Sequence, residues 1–390
     1  MVKKPAQPAA PTIERLVRSK DIVISTGSGG VGKTTTAAAL GAMAAAELGG
    51  KVLVVTVDPA RRLASALGLE RFGNVETRVP HELFVEAGVT PKGELWAAML
   101  DTKQSWDDLI AQHAPDSTTR DAILGNPLYQ NITGKFIQSH DYVAMERLYE
   151  LHASGHYDLI VVDTPPTRNA VDFLDAPARM ADFFSSRLLR WLIAPYRSRV
   201  IGMASKPFYA VADRILGSQF LGDIAEFFIL FQSMYDGFVE RAAAVEALLG
   251  GTTTTFVVVS TLEPAPAREA RFFVDLLRER KLHLGAVVLN KVLPDQFNDR
   301  GAAAAAHRLA QDPDAAAAVV GAAIGEDPRL PRVLATMAAS FSDYQMAAAR
   351  EADQRAELGE LAGLVAAVPY FDHDITDLGG LLELGATIWG

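Results

Sequence analysis

Gly27-Ser28-Gly29-Gly30-Val31-Gly32-Lys33-Thr34 has the spacing G-x-x-x-x-G-K-[ST] of a phosphate-binding loop. Its flanks give that spacing physical meaning. Before it, Asp21-Ile22-Val23-Ile24-Ser25 reads as a short buried strand, and after it the alanine-rich run from Thr35 to Ala46 favours a helix. A strand, a glycine turn and a helix N-terminus together turn several backbone N–H groups towards an anion. Gly29, Gly30, Val31, Gly32 and Thr35 would supply that cradle. Lys33 would place a point charge on the β- and γ-phosphates, and the Thr34 hydroxyl would ligate Mg²⁺. The stretch implies a bound nucleoside triphosphate with Mg²⁺.

Working outward, strand-like runs alternate with helical stretches, the pattern of a mostly parallel sheet covered by helices. The runs are 22–26, 52–57, 159–162, 255–260, 286–289 and 364–368. In open α/β sheets, ligands lie beyond the carboxyl ends of the strands, so the polar residues ending these runs should converge on one site. The second run ends in Thr56-Val57-Asp58-Pro59-Ala60. Asp58 has two readings there: a carboxylate that orients the attacking water, or the cap of a helix opening at Pro59. The third run ends in Val161-Val162-Asp163-Thr164-Pro165-Pro166, the shape of a Walker B element whose carboxylate holds Mg²⁺ through water. The fifth ends in Leu289-Asn290-Lys291, where Asn290 either hydrogen-bonds a base edge or forms a turn.

Composition sets limits. The chain has 390 residues, 49% of them apolar, enough for one large α/β domain with insertions. It has no cysteine, which excludes disulfides, Cys-ligated zinc and thiol-held metalloids. A formal net charge of −10 argues against broad binding to nucleic acid. The Pro- and Ala-rich stretch 1–12 reads as a disordered tail without the apolar core of a signal peptide, and no apolar run is long enough to span a bilayer. A cytoplasmic protein, with peripheral membrane contact left open, is the expectation.

GSGGVGKTT, TVDPA, VVDTPPT and VLNKVLP, in that order, resemble the arsenite-pump and tail-anchored-protein-targeting ATPases. These are deviant-Walker ATPases related to MinD and ParA, and the bacterial branch called anion-transporting ATPases is the most similar. The resemblance is specific over about residues 20–70, 155–180 and 255–294. It implies a P-loop NTPase fold with an inserted α-helical subdomain, ATP hydrolysis and a nucleotide-gated dimer. It makes Asp58 the aspartate that orients water, Asp163 the Mg²⁺-linked aspartate and Asn290 the adenine reader. Lys33, Asp58 and Asp163 are then the catalytic set, and Thr34 and Asp163 the metal set.

Two departures stand out. Members usually carry a lysine at the second loop position that reaches the partner's phosphates across the dimer; here that residue is Ser28. A cysteine-free chain also lacks the zinc clamp of the targeting branch and a thiolate site for arsenite. A homodimer, or a heterodimer with a paralogue carrying the loop lysine, follows from the first departure. Three other classes remain: a non-hydrolysing ATP-binding scaffold, a ParA/MinD-like positioning ATPase, and a GTPase. The last is disfavoured because Asn290-Lys291 is followed by Val292-Leu293, with no carboxylate for guanine.

The expected layout is one ATPase domain over 13–390, with helical insertions at about 90–150 and 180–250 and a helical segment at about 300–362. Leu95, Trp96, Met99, Leu100, Trp106, Leu109 and Ile110 recur at helical steps. A second stripe runs through Phe220, Ile224, Phe227, Phe228, Phe231, Met234 and Phe238. Between them, 179–214 carries seven Lys/Arg against two Asp, with Trp191, Leu192, Ile193 and Tyr196 among them. These stripes are either core or a groove for an apolar client, and the basic aromatic segment suits an anionic membrane surface.

Overall fold

The computed structural model describes residues 11–57, 62–69, 73–132, 137–165, 174–176, 178–179, 182, 226–231 and 234–390. Eight strands form one sheet: β1 (Ile22–Gly27), β2 (Gly50–Thr56), β3 (Thr77–Arg78), β4 (Gly93–Met99), β5 (Leu159–Asp163), β6 (Thr254–Ser260), β7 (Leu284–Val292) and β8 (Val365–Pro369). Their spatial order is β3-β4-β2-β5-β1-β6-β7-β8. Every pairing is parallel except the short antiparallel contact of β3 with β4. Because both faces are covered, the central strands are apolar except towards their ends; β1, β5 and β6 are buried at every position.

The helices are α1 (Ile13–Arg18), α2 (Lys33–Glu47), α3 (Arg62–Ala66), α4 (His81–Glu86), α5 (Thr102–His113), α6 (Ser117–Gly125), α7 (Pro127–Ile132) and α8 (Ile137–Ala153). After β5 come α9 (Tyr235–Leu249), α10 (Pro264–Glu279), α11 (Arg300–Gln311), α12 (Pro313–Ile324), α13 (Leu330–Leu361) and α14 (Leu378–Trp389). Strand alternation sends Val23 to one face of the sheet and Ile22 and Ile24 to the other. On the first face α2 and α14 pack through Ala38, Leu40, Leu381 and Ile388. On the second, α8, α9 and α10 supply Met145, Leu148, Val245, Phe273 and Leu277. This is the α/β architecture the sequence led us to expect.

Aspartates set several helix starts. Asp101, Asp116, Asp299, Asp312 and Asp377 each accept a backbone N–H from three residues on, as N-caps do. Asp312-Pro313 is therefore a helix start as well as a break. Thr12 likewise caps α1 by accepting from Arg15 N–H.

One expectation needs correction, and one alternative left open by the sequence is decided for the described residues. The single amphipathic helix anticipated from Leu95 to Ile110 is two elements. Residues 93–99 form β4, paired in parallel with β2, and α5 opens only after the Asp101 cap. The described stripe residues also face inward. Trp106, Leu109, Ile110, Phe227, Phe231, Met234 and Phe238 join Tyr129 and Tyr142 in a separate buried cluster. Phe231 stacks on Phe238 at 5.6 Å, and Trp106 lies within 6.4 Å of both and of Tyr142. Phe220, Ile224 and the basic segment around Trp191 lie outside the described residues.

Candidate nucleotide site

The carboxyl ends of β1, β2 and β5 are fastened to one another by polar groups at the ends of apolar runs. Asp163, fully buried at the end of β5, accepts through Oδ2 from Thr34 Oγ1 at 2.7 Å and Thr56 Oγ1 at 2.9 Å. The Asp163 carbonyl accepts from Val57 N–H at 3.1 Å. Thr164 donates its hydroxyl to the Ser25 carbonyl at 2.9 Å, and Ser25 Oγ donates to the Lys33 carbonyl at 3.3 Å.

Between β1 and α2 the loop turns back on itself. Gly32 is the N-cap of α2 in a left-handed conformation, φ +97°, which few side chains adopt. Its carbonyl accepts from Thr36 N–H at 2.8 Å, the first bond of the helix. The buried Lys33 ammonium folds over the loop and donates to the Ser28 carbonyl at 2.9 Å. Gly29, Gly30, Val31, Thr34 and Thr35 complete the turn and the first helical residues, so the loop residues named from sequence form one strand-to-helix junction.

Asn290, near the end of β7, reaches this loop from the other side of β6: its Nδ2 donates to the Val31 carbonyl at 2.8 Å. Its Oδ1 accepts from Lys291 N–H at 2.9 Å. The structure thus brings Asp163 to Thr34 and Asn290 to Val31. Asp58 lies outside the described residues, although β2 carries the chain to Thr56 and Val57 beside Asp163.

Thr34 and Asp163 present oxygens 2.7 Å apart, hard donors of the kind Mg²⁺ takes. Among the described residues no cluster of three or more His, Asp or Glu could hold a metal ion by itself. Sequence reading missed Thr56 and Thr164 as partners in this junction. Their signal was a hydroxyl residue at or just beyond the tip of an otherwise apolar strand.

This junction has relatives. The family described as "Anion-transporting ATPase" matches residues 20–313. The chain belongs to that family. It is an ATPase, and the match takes in the loop, Asp163 and Asn290 together. It is 25% identical over 292 residues to "ATPase ASNA1 homolog" of Entamoeba dispar, covering 72% of this chain and 80% of that one. It is also 25% identical to "ATPase get3" of Pyrenophora tritici-repentis, covering 74% and 79%. With "ATPase GET3" of Malassezia globosa it shares 26% identity, over 74% and 77%. Among the described residues no helix is long and apolar enough to cross a membrane.

Proposed function

We propose that this chain is a Mg²⁺-dependent ATPase that works as a nucleotide-gated dimer with the phosphate loop at its centre. The carrying observation is the pairing of Thr34 and Asp163 beneath a loop whose Lys33 already lies across it. In this reading the 29–35 backbone cradles the phosphates, and Lys33 leaves the Ser28 carbonyl to neutralise the β/γ oxygens. Thr34 and Asp163 are the residues that would hold the cation. A Mg²⁺ ion held there would offset the charge that develops on the phosphate oxygens. Asp58 orients the attacking water, and Asn290 faces the base.

Steady-state phosphate release tests this, with Lys33→Ala and Asp163→Asn beside the wild type. Each should lose at least about 10²-fold, the usual effect of removing one preorganised electrostatic group. Hydrolysis that survives both substitutions would overturn the assignment.

Ser28 refines the dimer. Its carbonyl serves Lys33, and its neutral, largely buried side chain offers no charge to a facing subunit. We take the productive partner to be a paralogue that carries lysine at this loop position. A trans cation at the γ-phosphate is worth about 10³–10⁵ in rate. Single-turnover hydrolysis by the pure chain should therefore be slow, and Ser28→Lys should speed it. Family-typical turnover by the wild-type homodimer, unimproved by that substitution, would remove the need for a second chain. The aromatic stripes do not support an apolar client groove, because their described members close on one another.

A further inference from the structure

We infer that Asn290 is a positioning residue for the phosphate loop, acting on it before any base arrives. This rests on the ATP-binding reading above, but concerns a different part of the ligand. A side-chain amide has two N–H donors and an oxygen with two lone pairs. One donor is committed to Val31 O and one lone pair to Lys291 N–H, which leaves one of each for a base edge. Asn290 can therefore serve the loop and a nucleobase at once.

Three features place the first role in the fold itself. Lys291 adopts a left-handed φ of +59°, and the β7–β8 register shifts between Leu289 and Val292. Asn290 Oδ1 holds that irregular turn by capping the Lys291 amide. The turn in turn aims Nδ2 at the Val31 carbonyl, on a chain segment 259 residues away in sequence. Finally, a Cβ at Gly32 would collide with Asn290 Nδ2, so any side chain there would push the amide off the Val31 carbonyl. The left-handed backbone of Gly32 separately favours glycine. The Val31 peptide directly precedes Gly32, and fixing its carbonyl fixes the plane of the following N–H.

Hydrogen exchange of the nucleotide-free chain separates this role from base reading. Asn290→Ala should speed exchange of the loop amides over 29–35 by about five- to tenfold, the size of one lost hydrogen bond, with β1 and β6 unchanged. Asn290→Asp is the second variant. It keeps the acceptor for Lys291 N–H but sets a carboxylate oxygen against Val31 O, so it should loosen the same amides while keeping the turn. If either folded variant leaves loop exchange as in the wild type while ATP affinity falls, Asn290 serves the base alone and the inference is overturned. Failure of the wild type to bind ATP would sink the nucleotide reading instead, and the exchange comparison would still decide this one.

Discussion

Two helical regions look alike in sequence, and their fates differ. The layer built by α5, α8, α9 and residues 226–231 buries its aromatic stripes almost completely. The arm formed by α11, α12 and α13 leaves Val319, Ile324, Val333 and Met337 between 50% and 75% exposed. The difference lies in side-chain size. Phenylalanine and tryptophan bring large apolar areas and prefer tilted or stacked partners, so a few of them close a core. The arm is built on alanine, which favours the helix without supplying area to bury; Leu334, Ala338, Ala348 and Leu358 are the buried residues of its longest helix. Helical periodicity alone does not distinguish the two.

The aromatic layer also carries charge that the arm does not bury. Glu146 is 1% exposed and accepts from Arg241 Nε at 2.9 Å and from Tyr142 OH. Burial pushes both the Glu146 carboxyl and the Tyr142 hydroxyl up. Arg241 also lies over the Phe238 ring at 5.0 Å.

The largest expected effect is therefore here. Arg241→Ala strands a buried carboxylate and should cost about 3–5 kcal/mol in denaturant unfolding. Phe238→Ala should cost a similar amount through its cavity, about 3–5 kcal/mol. Losses under about 1 kcal/mol would mean that the layer is not a core. In the arm, Val319→Ser and Met337→Ser should stay within about 0.5 kcal/mol of wild type, since exposed positions away from special features rarely matter. A large loss at either would show that the arm's apolar face is covered in solution.

The smallest effect concerns pH. His113, at the edge of the aromatic layer, is held below its ordinary 6.5 by burial and then by the charge of Arg241. The unfolded chain takes up this proton before the folded one does. Its contribution is complete above pH 6.5 and is lost as pH falls through the depressed folded value. Comparing wild type with His113→Gln at about pH 7.5 and pH 5.5 should show a gap that changes only on the acid side. No change in that gap would place His113 in water rather than against the layer.

Much of the sheet was legible because a strand covered on both faces cannot afford polar residues except at its ends. That rule revealed Ile22, Val54, Val161 and Val257 as core, and it set Asp163 at a tip. It failed at β4, where Leu95, Trp96, Met99 and Leu100 fit a helical step, while the buried Ala97 and Ala98 between them carried no signal. Asp163 could be read because a carboxylate after four apolar residues is conspicuous. Thr56 could not, since a threonine suits any strand and its role appears only when β2 lies beside β5. The tether from Asn290 to Val31 needed the strand order itself, which no local pattern contains.

Helix α13 anchors at both edges of the sheet. Glu351 accepts from Leu293 N–H just past β7, and the Leu361 carbonyl accepts from Arg278 near the end of α10. Those ten residues span about 15 Å, close to the length of one strand. The portion from Leu330 to Arg350 adds about 30 Å of helix before that first anchor. In mechanical terms the arm meets the sheet at the contact of Glu351 with the Leu293 amide, and Leu293 lies three residues along the chain from Asn290. A pull on the arm would reach the β7 turn through that contact.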